Sequence, residues 1–235
     1  MKVLEVQNIS KNFGGIRVLQ SVSFSVETGE RRAIIGSNGA GKTTLFNIIS
    51  GTKKPSFGKI LYFGQNVTGL SAFRRSRLGI GRTFQINNLF FNLSLKSNIS
   101  LALQVTKSSL DIEGFLERWG FSEKADVKVG ALSYGEQRQV EVLLALAQSP
   151  KLILLDEPTA GMSPVETKII TEMIAGLPKD ISILIIEHDM EVVFSLADRI
   201  TVLHLGQILC EGNKEKVKAD PRVREIYLGT GGKEV

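Results

Sequence analysis

The sequence predicts an α/β fold with a strand-rich front part, a core of buried parallel strands and a helical insertion. Three observations carry this. LILLDE (152–157) and ISILIIEH (181–188) are apolar at almost every position before they end in charge, the pattern of strands buried on both faces of a parallel sheet. AIIG (33–36) runs straight into a Gly-rich loop and then into TTLFNIIS (43–50), which has helical spacing. Amphipathic helical pieces gather between about residues 86 and 150.

In chain order, VLEVQNI (3–9) and VSFSV (22–26) are β-prone pieces set apart by Gly and polar turns. AIIG, the loop and the helix after it follow. KILYF (59–63) comes after the turn signal PSFG and reads as another strand. SLDIEGFLERWGF (109–121) and GEQRQVEVLLALAQ (135–148) read as amphipathic helices. The two apolar strands close the pattern. No repeat, low-complexity segment or long linker interrupts the 235 residues, which suit one large domain or two intimate subdomains.

Composition narrows the class. Apolar residues make up 43% of the chain, enough for a packed core. The longest apolar run, VLLALA (142–147), falls far short of the ~18 residues that a membrane span needs. The opening MKVLEVQN puts Glu5 where an export signal requires an apolar core, so a cytosolic chain is expected. A single cysteine, Cys210, excludes an internal disulfide framework and a Cys-based zinc site. The net charge of +5 is scattered, with local clusters only at RRSR (74–77) and KEKVK (214–218), expected to be solvated. No basic stretch is interleaved with aromatics, so no nucleic-acid partner is expected.

The strongest chemical signal is GSNGAGKTT (36–44), which fits G-x-x-x-x-G-K-[ST] between a strand and a helix. Its loop residues Gly36, Ser37, Asn38, Gly39, Ala40 and Gly41 let backbone N–H groups turn inward around phosphate oxygens. The following helix N-terminus favours negative charge. Lys42 reaches β- and γ-phosphates, Thr43 offers a hydroxyl to Mg²⁺, and Thr44 completes the turn. Asp156 ends an apolar strand where open α/β sheets place ligands, and suits Mg²⁺ through water. Glu157, next to it, is placed to activate water. His188 ends the other apolar strand and is expected at the same edge, within reach of a γ-phosphate or the attacking water.

With these residues in order, followed through Gln85 in RTFQ and LSYGEQ (132–137), the chain resembles an ABC transporter ATP-binding subunit over essentially its whole length. The resemblance implies a P-loop NTPase core with an N-terminal antiparallel β subdomain and a helical subdomain. The core would take about residues 1–85 and 151–235, and the helical part 86–150 with the signature motif. It implies that the LSxGx stretch serves ATP held by a second copy of the domain, with Ser133, Gly135 and Glu136 at that nucleotide. LSYGEQ departs from the commoner LSGGQ at Tyr134 and Glu136. Phe13 matches the aromatic that stacks on adenine, and Gln85 a residue that serves both Mg²⁺ and hydrolysis. In AGMSP (160–164), Ser163 stands where many relatives carry Asp.

A finer match is carried by LSYGEQRQVEVLLALA, DEPTAGMSP, GIGRTFQ…LF and IEHDMEVV…DRI, which together look like the ATP-binding subunits of branched-chain amino-acid importers. The segment between Gln85 and Ser133 is short for that type. The implied partners are a second ATP-binding subunit, two integral membrane permease subunits and, indirectly, a secreted solute-binding protein. The implied location is peripheral, on the cytoplasmic face of the inner membrane. Urea, amide and lipopolysaccharide transporters have similar cores. A soluble, non-transport ABC ATPase is the alternative of another class, but the long heptads, zinc cysteines or second phosphate loop of such relatives are absent from this chain. Leu89, Phe90 and Phe91 form an apolar run on a loop or short turn and cannot all point inward, so at least one is expected to be exposed.

Overall fold

The computed structural model describes residues 1–83, 89–106 and 110–228. The front of the chain forms an antiparallel sheet. β1 (Lys2–Phe13) and β2 (Ile16–Glu27) pair as a long hairpin, and β4 (Phe57–Tyr62) and β5 (Gln65–Asn66) extend it in the order β2-β1-β4-β5. Burial alternates through much of β1, as expected of strands that cover a core on one face.

The second sheet holds the ligand-bearing strands. β3 (Arg31–Ile35), β6 (Ile80–Arg82), β7 (Leu152–Asp156), β8 (Ser182–Ile186) and β9 (Arg199–His204) run parallel, and β10 (Gln207–Gly212) turns back along β9. Their order is β10-β9-β3-β8-β7-β6. Every residue of β3, β7 and β8 is buried, which explains the unbroken apolar runs. Successive side chains point to opposite faces and feed two cores. Ile34, Leu154 and Leu184 pack with α1 (Lys42–Ser50) and the antiparallel sheet. Ile35, Leu155 and Ile185 pack with the helices on the other face.

Those helices include α3 (Leu95–Thr106), α4 (Ile112–Arg118), α5 (Tyr134–Ala147) and α6 (Pro164–Ala175), with the short α2 (Ala72–Arg77) preceding β6. α7 (Met190–Leu196) follows β8, and α8 (Lys214–Ala219) follows β10. Sequence capping explains several starts. Ser133 and Ser163 each close a capping box with the Glu three residues on, and Pro164 sits at the first position of α6. Among the described residues, no helix is long and apolar enough to cross a membrane.

One expectation is overturned here. Arg75 does not belong to a solvated basic cluster: it is 0% exposed. Its guanidinium donates to Ile48 O and Ile49 O at 2.7 Å, and to Thr68 O at 2.9 Å. Carbonyls in the last turn of α1 have no i+4 donor within the helix; Ile48 O also accepts from Gly51 N–H at 3.2 Å, and the buried cation adds to this. Burial pushes the Arg75 pKa down to about 10.

Candidate functional site

β3, β8 and β7 are neighbours and parallel, so their carboxyl ends meet at one edge. That edge gathers residues 36–44, 156–157 and 187–188. The loop after β3 folds tightly. A Cβ on Gly36 would lie 2.4 Å from Leu203 O, so only glycine fits there. Gly41 has φ +102° at the N-cap of α1, and a Cβ would meet Leu19 Cδ2 at 2.7 Å. The loop amides therefore lie at the positive end of α1, the arrangement that binds phosphate. Lys42 Nζ donates to Gly36 O at 2.7 Å and to Ser37 O at 3.1 Å, which folds the side chain back over the loop. Burial lowers its pKa, while Glu157 and Asp156 act in the opposite direction. Thr43 is exposed in the first turn of α1, and Thr44 is half-buried.

Asp156 is 2% exposed. Its Oδ2 accepts a hydrogen bond from Arg82 Nη2 at 3.0 Å. Its Oδ1 is buried with no partner among the described residues. Burial raises the Asp156 pKa, and Arg82 pulls it back. The same guanidinium donates from Nη1 to Asn47 Oδ1 and Ser50 Oγ, both at 2.8 Å. Arg82 thus clamps the end of β7 to α1. An open carboxylate oxygen on the same sheet edge as the phosphate loop suits Mg²⁺, which takes one or two protein ligands and completes its shell with phosphates and water.

Glu157 follows with φ +51°, a left-handed conformation that costs a non-glycine residue ~1–3 kcal/mol and concentrates at functional sites. Its N–H donates to Ile186 O at 2.9 Å, which locks the turn against β8. His188 Nε2 lies 2.7 Å from Glu157 Oε1, so the two side chains form a hydrogen-bonded pair. Glu187, beside them, accepts from Thr159 N–H at 3.0 Å and from Thr159 Oγ1 at 2.7 Å. It braces the loop that carries Glu157.

Phe13 ends β1 and is 42% exposed. The ammonium groups of Lys11 and Lys53 lie 5.0 and 5.4 Å from its ring centroid. An open ring flanked by cations suits a planar base that carries phosphates. Gln85 lies outside the described residues.

LSYGEQ opens α5, with Ser133 as its N-cap. Ser133 Oγ accepts from Glu136 N–H at 3.3 Å, and Ser133 N–H donates to Glu136 Oε2 at 2.8 Å. Glu136 also pairs with Lys124. Its carboxylate closes the capping box of α5, beside the expected nucleotide contacts of Ser133 and Gly135. The amide of Gly135 lies against the Glu166 carboxylate: a Cβ there would sit 2.8 Å from Glu166 Oε1. Hydrogen bonds from Ser163, with a smaller one from Gly135, hold Glu166 below the usual carboxylate range. Ser163 Oγ donates to Glu166 at 2.7 Å, and Ser163 caps α6.

Between α3, α5 and the end of β6 lies a cleft of about 410 Å³, lined by Phe90, Leu101, Ala102, Leu144, Glu141 and Arg82 among others. Leu89 is buried, whereas Phe90 is 58% exposed and Phe91 is also exposed. The apolar run divides as expected. Sequence reasoning missed Arg82, Glu187 and the buried role of Arg75. Arg82 carried one signal, its place in the GRTFQ match three residues before Gln85.

The ABC transporter family model matches residues 19–160. A probable ABC transporter ATP-binding protein of Azorhizobium caulinodans is 37% identical, over 94% of this chain and 81% of that protein. The high-affinity branched-chain amino acid transport ATP-binding protein LivG of Escherichia coli is 35% identical, over 97% of this chain and 98% of that protein. Among solved structures, a nucleotide-free ATP-binding cassette from an ABC transporter superposes with a TM-score of 0.87 at 32% identity, covering 98% of this chain and 100% of that one. A cassette in its ADP conformation gives 0.88 at 33% identity, with coverage of 98% and 100%.

Proposed function

The chain belongs to the ABC transporter family and is an ABC ATPase, and from that premise we propose that it powers an importer of branched-chain amino acids from the cytoplasmic face of the membrane. The observation that carries the chemistry is the Glu157–His188 pair at 2.7 Å, on the same sheet edge as the phosphate loop. The substrate rests on the near full-length match to LivG.

Phe13 stacks the adenine, while the amides of residues 36–44 and Lys42 take the phosphates. ATP displaces Lys42 from its loop carbonyls, exchanging two neutral acceptors for charged ones. Asp156 and Thr43, with Gln85, would hold Mg²⁺, which would supply charge neutralisation at the phosphates. Glu157 takes the proton of the attacking water, and His188 orients Glu157 and faces the γ-phosphate. Residues 36–44 and the N-terminus of α5 sit on different parts of the chain. Ser133 and Gly135 therefore serve nucleotide on a second ATP-binding subunit, and ATP closes the pair. Glu166 gives up its contact with Gly135 when that phosphate arrives. The cleft beside Phe90 receives a short helix of a membrane subunit, an apolar helix-in-groove contact that turns closure into movement of the pore. A secreted binding protein delivers the solute.

Deletion of the gene and uptake of labelled leucine, isoleucine, valine and urea tests this reading. Loss of the three amino acids with urea uptake intact is expected. Loss of urea uptake alone would move the chain to an amide transporter, and unchanged uptake of all four would remove it from both.

A further inference from the structure

Glu141 is out of place in an apolar cleft. It lies on α5, is 8% exposed and lines the wall with Leu101 and Leu144. Its Oε2 accepts from Arg138 Nη1 at 2.8 Å. Its Oε1 has no hydrogen-bond partner among the described residues. Burial raises its pKa against the pull of Arg138. Leaving such an oxygen unsatisfied is costly, and more so on a charged group. Arg82, a cation on the cleft wall, is engaged with Asp156, Asn47 and Ser50.

Arg138 leads away from the cleft. Its Nε and Nη2 donate to Tyr134 Oη at 3.1 and 2.9 Å, and Tyr134 Oη donates to Ala160 O at 3.0 Å. Tyr134 is the residue by which LSYGEQ departs from LSGGQ. It spans from the start of α5 to the loop between β7 and α6, four residues past Asp156. A continuous polar chain therefore runs from the cleft wall to the loop that follows the Mg²⁺ and water-activating residues.

We infer that Glu141 is the receptor for a basic side chain, Arg or Lys, on the membrane subunit's docking helix, and that Arg138 and Tyr134 carry its arrival to the loop at Ala160. A charged donor is the partner that a buried, half-paired carboxylate satisfies best. With Oε1 engaged, Glu141 holds Arg138 less tightly, and the guanidinium shifts toward Tyr134. The inference rests on the proposed docking of a membrane subunit in this cleft.

The experiment uses the assembled transporter, with this chain co-expressed with its own membrane subunits. Retention of the membrane subunits and their stimulation of ATPase are both measured. Ala102→Trp fills the cleft and should abolish retention whatever sits at Glu141; normal retention in that variant would overturn the docking reading itself. Glu141→Leu should lower retention about tenfold or more, the scale of a truncated buried charge contact. Removing one particular Arg or Lys from the membrane subunits' cytoplasmic segments should give the same loss, with no further loss when both changes are combined. Tyr134→Phe should keep retention but lose stimulation. Unchanged retention of Glu141→Leu beside a failing Ala102→Trp would overturn the role of Glu141 and leave docking standing. Additive losses with every basic residue would overturn the choice of partner, and full stimulation in Tyr134→Phe would overturn the relay.

Discussion

Replacing Arg82 with Leu tests the clamp between β7 and α1. The Arg82 and Asp156 side chains are 8% and 1% exposed and lie 3.0 Å apart. Removing one partner of a buried pair typically costs ~3–5 kcal/mol, because the other charge is left uncompensated. Asn47 and Ser50 lose their 2.8 Å contacts as well. For a chain of this size each kcal/mol moves Tm by ~2–4 °C, so a fall of ~6–20 °C is expected by differential scanning calorimetry. The sign with pH follows from the carboxyl left behind. Burial without Arg82 raises the folded Asp156 pKa above its unfolded value, so the penalty is present at high pH and is relieved as protons bind. The gap to wild type should narrow as pH falls toward the raised folded pKa of Asp156. Adding Asp156→Asn should recover much of the loss, since a neutral amide needs no counter-charge. A Tm within about 2 °C of wild type at pH 8 would refute the reasoning.

Three further outcomes are expected. Glu157→Gln should bind ATP normally but slow turnover ~10²–10⁴-fold, and ATP should then trap a dimer on size-exclusion chromatography; a wild-type rate would exclude Glu157 as the base. Ser133→Arg should abolish hydrolysis while sparing ATP affinity of the isolated chain, and mixing it with Lys42→Ala should restore part of the activity if the chain pairs with itself; lost affinity in the single chain would contradict the two-subunit site. Phe90→Ala or Phe91→Ala should leave basal ATPase within about threefold, and one of them should weaken binding to membrane subunits by ~1–3 kcal/mol, read by pull-down with circular dichroism as the folding control.

The phosphate loop, Asp156, Glu157 and His188 were legible before any coordinates. A phosphate cradle is made by contiguous backbone, so its residues must be adjacent in sequence. Unbroken apolar runs before Asp156 and His188 announce parallel buried strands, and parallel strands end on one edge. The exposure of Phe90 was legible too, since neighbouring bulky residues cannot share one interior. The fates of Arg75 and Arg82 were not. Arg74, Arg75 and Arg77 read alike as letters, yet Arg75 alone is drawn under α1, because only the packed structure sets the last-turn carbonyls of that helix within its reach. Arg82 and Asp156 are 74 residues apart, and Tyr134 and Ala160 are 26 apart. Local pattern determined which segments are strands, helices and phosphate-binding turns, because backbone geometry and side-chain periodicity act over a few residues. Tertiary structure alone decided which buried polar groups meet, because each such contact depends on where separate elements come to rest against one another.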